Sequence, residues 1–61
     1  EKRVAVVATN EFDAKVLSTQ ISVPGYRFVD SATLGNAKVE NGGKSVSLGQ
    51  YDLAVLVFEK E

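Results

Sequence analysis

At 61 residues and a net charge of −1, with acids and bases scattered, the chain holds one small domain, expected to span residues 1–61. Its balance of charge argues against a nucleic-acid groove or an anionic membrane surface as partner, and its apolar runs are too short to span a bilayer. It has neither cysteine nor histidine, which removes a disulfide framework, a thiolate zinc site and the usual general base at neutral pH.

Val4 to Ala8 is a short apolar run rich in β-branched residues and reads as a buried strand. Thr9 to Asp13 supplies turn chemistry. From Lys15 to Val23 the residues alternate, with Leu17, Thr19, Ile21 and Val23 on one face, which predicts a half-buried strand. Pro24-Gly25 ends it, because proline presets φ at the first turn position and glycine accepts positive φ at the second. Tyr26 to Asp30 alternates again, with Tyr26 and Phe28 on one side. Ser31 to Asn36 reads as a loop, and Ala37 to Glu40 as a short strand. Asn41-Gly42 then joins two alternating segments, and this dipeptide is the strongest short-range hairpin signal. Ser45 to Leu48 and Leu53 to Phe58 complete the set. About six short strands with regular punctuation predict an all-β fold, a small antiparallel Greek-key sandwich. A helix from Asn10 to Gln20, capped by Asn10, is the alternative and would make the chain a fragment of an α/β protein. The β-branched Val16, Thr19, Ile21 and Val23 argue against it.

The residues give catalysis little to work with. Asp13, Asp30, Glu40, Asp52 and Glu59 are the carboxylates on offer for acid-base work. The three aspartates flank turns, where Asp binds its own backbone, and the glutamates read as solvated strand ends. Asn41-Gly42-Gly43-Lys44 lacks the spacing of a phosphate loop, and a hairpin turn explains it. We expect no catalytic residue, no metal and no cofactor.

Two features bear on binding. Tyr26 and Tyr51 combine a ring with a polar tip and are the candidate sugar-binding residues, with an oligosaccharide as partner. Against this stands a structural role at strand ends, since Tyr51 precedes the last strand as in a tyrosine corner. That last strand is apolar on both faces, whereas a strand at the surface of a sandwich should be polar outward. Leu56 and Phe58 are therefore expected to contribute an interdomain contact, a patch covered by another domain or subunit.

The order of parts resembles the C-terminal β domain that follows the catalytic barrel in the α-amylase superfamily and related glycoside hydrolases. The matching parts are Val4 to Asn10, Lys15 to Val23, Pro24-Gly25, Tyr26 to Asp30, Asn41 to Leu48 and Tyr51 to Phe58. Where that family usually has proline before the corner Tyr and Gly or Ser after it, this chain has Gly49-Gln50 and Asp52. Such domains often begin with a further strand, so a chain starting at Glu1 without methionine is expected to be excised or trimmed. The resemblance implies a non-catalytic accessory domain that packs on the catalytic domain of a carbohydrate-active enzyme. It carries no catalytic residue over, because the family's carboxylates sit on the barrel. An independent carbohydrate- or protein-binding module is the alternative. No targeting segment is present to fix a compartment.

Overall fold

The computed structural model describes residues 2–11 and 14–61. Six strands form: β1 (Arg3–Asn10), β2 (Leu17–Gln20), β3 (Tyr26–Leu34), β4 (Lys38–Glu40), β5 (Ser45–Leu48) and β6 (Asp52–Lys60). They make two three-stranded sheets, ordered β1-β6-β3 and β2-β5-β4, and every pairing is antiparallel. The expected all-β sandwich is thus what the sequence makes. Only β4 and β5 are joined as a hairpin; the other connections pass between the sheets, and β6 returns to lie beside β1. The helix from Asn10 to Gln20 does not form, since Leu17–Gln20 is a strand paired with β5. Phe12 and Asp13, part of the predicted turn, lie outside the described residues.

The two sheets differ in length, and this shapes the molecule. β1, β3 and β6 run for eight or nine residues, whereas β2, β4 and β5 have four or fewer. At about 3.3 Å per residue, β6 alone is about 30 Å long, close to the longest extent of 36 Å. The small sheet cannot cover all of the large one. Ser31 and Thr33 lie opposite Leu56 and Ala54 on the inward side of β3, yet both are exposed.

The period of two along β6 decides where the core sits. Ala54, Leu56 and Phe58 point inward and are buried, meeting Val46 and Leu48 of β5 and Ala37. Val4, Val6 and Ala8 of β1, and Tyr26 and Phe28 of β3, pack around that cluster. Phe28 and Phe58 are direct cross-strand partners with ring centroids 5.8 Å apart, edge to face, a geometry favoured by the ring quadrupoles.

Several boundaries depart from expectation. The second strand spans Leu17–Gln20 rather than Lys15 to Val23, although the Ile21 N–H still donates to the Lys44 carbonyl at 2.8 Å. Ile21 and Val23 pack on the core, while Leu17 and Thr19, expected inward with them, are exposed. β3 does not stop at Asp30. It runs to Leu34, because Asp30 to Leu34 find partners in Val57 to Leu53, after a break in register between Phe28 and Asp30. In the β4–β5 hairpin Asn41 and Gly42 take positive φ (55° and 62°) as their types predict. Ladder pairing ends at Glu40 and Ser45, so the loop extends through Gly43 and Lys44.

Candidate interaction surface

The even residues of β6 fill the core, so its odd residues form the central column of the opposite face of the large sheet. Register sets their neighbours row by row. Glu59 lies between Arg3 and Arg27, Val57 between Ala5 and Asp30, Val55 between Val7 and Ala32, and Leu53 between Thr9 and Leu34. Below the first row this face is apolar except for Asp30 and Thr9 at its two edges. Leu53, Val55 and Val57 are half-buried by their own neighbours, whereas Val7 is 59% and Leu34 66% exposed. Among the described residues no element lies over it.

The top row is an ion-pair ladder. Arg3 donates to Glu59 Oε2 from Nε at 3.1 Å and from Nη2 at 3.0 Å, and Arg27 Nη2 donates to Oε1 at 3.0 Å. The hydrogen bonds from Arg27 and Arg3 hold the Glu59 carboxyl below the ordinary glutamate range. Two cations around one carboxylate leave this row net positive, with the exposed Asp30 carboxylate in the row below.

The other end carries Tyr51. Its backbone N–H donates to the Asn10 carbonyl, and the Asp52 N–H closes the turn onto the Gly49 carbonyl at 3.1 Å. This places Tyr51 at φ +65°, a conformation that a bulky residue seldom adopts. Two buried polar side chains hold the turn there. Asp52 accepts the Asn36 N–H at 2.9 Å through Oδ1 and the Gly49 N–H at 2.7 Å through Oδ2. Asn10 Nδ2 donates to the carbonyls of Leu48 and Lys15, each at 3.2 Å. The chain ends of β1, β3, β5 and β6 are thereby tied at one pole. The Tyr51 ring stands out from it, 76% exposed, beside Thr9, Glu11 and Leu53, with which it lines a shallow hollow.

The residues singled out in the sequence fall in different places. Leu56 and Phe58 are corrected as contact residues. They are 0% and 5% exposed in the chain's own core, because β6 turns its even face to the small sheet. The outward apolar surplus of β6 is Leu53, Val55 and Val57. Tyr26 and Tyr51 do not share a platform. Tyr26 pairs with Lys60 at one end of β6, whereas Tyr51 precedes its other end, about 30 Å away along the strand. Tyr26 is half-buried and packs on the core, while Tyr51 lacks the buried ring of a structural corner. Sequence reasoning missed Ala5, Val7, Ala32 and Leu34. Val4 to Ala8 carried the same signal as β6, a strand apolar on both faces, and would have revealed the first two. No protein family, curated protein or solved structure matches the chain.

Proposed function

We propose that the chain is a non-catalytic accessory domain whose large sheet docks on a neighbouring domain. The observation that carries this reading is the uncovered apolar face of β1, β6 and β3. Patches of this kind mark protein contacts. Apart from Leu34, Leu53 and the rim Asp30, its side chains over three rows are small or β-branched, so the surface is flat enough to take a helix or a second sheet. Tyr51 adds an argument from strain. A tyrosine at positive φ carries a backbone strain that an exposed ring does nothing to offset. Such a ring suits an anchor against a partner, where tyrosine is enriched.

The resemblance noted in the sequence makes the catalytic domain of a carbohydrate-active enzyme of the α-amylase type the candidate neighbour, with stabilisation of that domain as the work done. The test compares the full-length polypeptide that contains this chain with its Leu34→Ser and Tyr51→Gly variants. Both positions are exposed, so the isolated 61-residue chain should keep its circular dichroism, with the denaturation midpoint unchanged for Leu34→Ser and not lowered for Tyr51→Gly, which relieves the positive φ. The full-length variants should lose thermal stability in the neighbouring domain. An unchanged neighbour would sink the docking reading. Localised amide shifts at Tyr51 on adding malto-oligosaccharide would favour the sugar-binding module instead.

A further inference from the structure

A two-layer sandwich has four edge strands, and three of those in this fold are blunted. β2 and β4 have four and three residues, and β3 carries a register break together with Arg27 and Asp30. Short edges, bulges and edge charges are the usual devices against strand pairing between molecules. β1 is long and unbroken, and its one charge, Arg3, stands at its first residue. It pairs with β6 over all eight residues without a break, and Val4 to Thr9 contains no charge, proline or glycine.

The Lys60 N–H donates to the Lys2 carbonyl at 2.7 Å. Bonded pairs alternate along an antiparallel ladder, so Val4, Val6 and Ala8 direct their backbone groups at β6. Ala5, Val7 and Thr9 direct theirs at the open edge.

We propose that β1 is a self-association edge, pairing antiparallel with β1 of a second copy about a two-fold axis through Val7. Two constraints select this register. Side chains directly opposed across a ladder share a face, so odd residues must meet odd residues. Centring the axis on Val7 also sets Ala5 against Thr9 and Arg3 against Glu11 of the second copy. Glu11 lies one residue beyond the strand, so its carboxylate comes to the end of the new ladder beside Arg3, which also holds Glu59 of its own chain. Opposite charges so placed favour the pairing. The Val7 amides and carbonyls bond each other reciprocally, and the two large sheets become one of six strands. The contact is isologous, so it closes at a dimer and does not propagate. The proposal concerns the edge of the sheet and is independent of the docking read on its face.

Sedimentation equilibrium of the 61-residue chain, from about 10 μM to about 1 mM as suits a small interface, tests it together with amide exchange. A dimer should accumulate with concentration, and exchange at Ala5, Val7 and Thr9 should slow at least tenfold as it does. Val7→Lys sets two ammonium groups against each other at the axis and should weaken association at least tenfold with the circular dichroism unchanged. Glu11→Lys, just outside the strand, should weaken it likewise and serves if Val7→Lys fails to fold. A chain that stays monomeric throughout overturns the proposal. So does a dimer that leaves those three amides unprotected or tolerates both variants, since its copies must then meet elsewhere.

Discussion

Asp52 is buried and accepts two backbone N–H groups from loops 13 residues apart in the chain, at Asn36 and Gly49. Both donors sit at turns whose backbone has no ladder partner to offer them. Removing the carboxylate strands both; a buried donor left unpaired costs about 1–3 kcal/mol, and less where water reaches it, as at exposed Asn36. Asp52→Ala should therefore destabilise the chain by about 1–4 kcal/mol, read as a fall in urea midpoint with an unchanged slope. Asp52→Asn keeps one carbonyl oxygen and turns a second donor toward an N–H, so it should recover only part of that loss. A change below about 0.5 kcal/mol for Asp52→Ala, the size of an ordinary surface substitution, would mean that water replaces the carboxylate without loss.

At the scale of elements the β4–β5 hairpin separates two uses of glycine. Gly42 and Gly43 both take positive φ, at 62° and 84°. A Cβ on Gly42 would meet nothing, whereas one on Gly43 would collide with the Cβ and ring of Phe28. Gly42→Ala should cost about 1 kcal/mol, from backbone conformation alone. Gly43→Ala should cost at least twice as much, because the Phe28–Phe58 contact must also move. Thermal denaturation of the pair checks this, and equal losses would show that the Phe28 ring yields freely. The hairpin was legible because Asn-Gly has a fixed conformational preference. Closing the loop two residues later was not, since the close fit of Gly43 against Phe28 is a tertiary contact. The same limit hid the second half of β3. Ser31 to Asn36 has loop composition, and only register with β6 makes Ser31 to Leu34 a strand. Local sequence also showed that β6 is apolar on both faces without showing which face is the core. That choice follows from where the short sheet lies. Asn10 and Asp52 were legible as turn residues, but their roles as ties between strand ends needed the fold.

The whole molecule has little core and much face. Among the described residues six apolar ones are buried, and domains of this length are stable by roughly 3–9 kcal/mol at 0.05–0.15 kcal/mol per residue. Adjacent residues of β6 therefore carry very different weights. Leu56 is 0% exposed at the centre of the core, and Leu56→Ala should cost about 2–5 kcal/mol, enough to leave much of the chain unfolded at 37 °C. Val55 faces outward from the same strand. Val55→Thr keeps the β-branched shape that the pleated surface favours and places its hydroxyl where water reaches it. In the isolated chain it should shift the urea midpoint by less than the equivalent of about 1 kcal/mol, while reducing binding of a hydrophobic dye. The asymmetry follows from the period of two, and it reverses in meaning once a partner covers the face. There the introduced hydroxyl would lose its water, and the same substitution would acquire the cost of burying an unpaired polar group, about 1–3 kcal/mol. Measuring Val55→Thr in the chain alone and in the larger polypeptide that the docking proposal calls for thus reads the covering of the face directly. Equal and small effects in both would mean that the apolar face stays open to solvent.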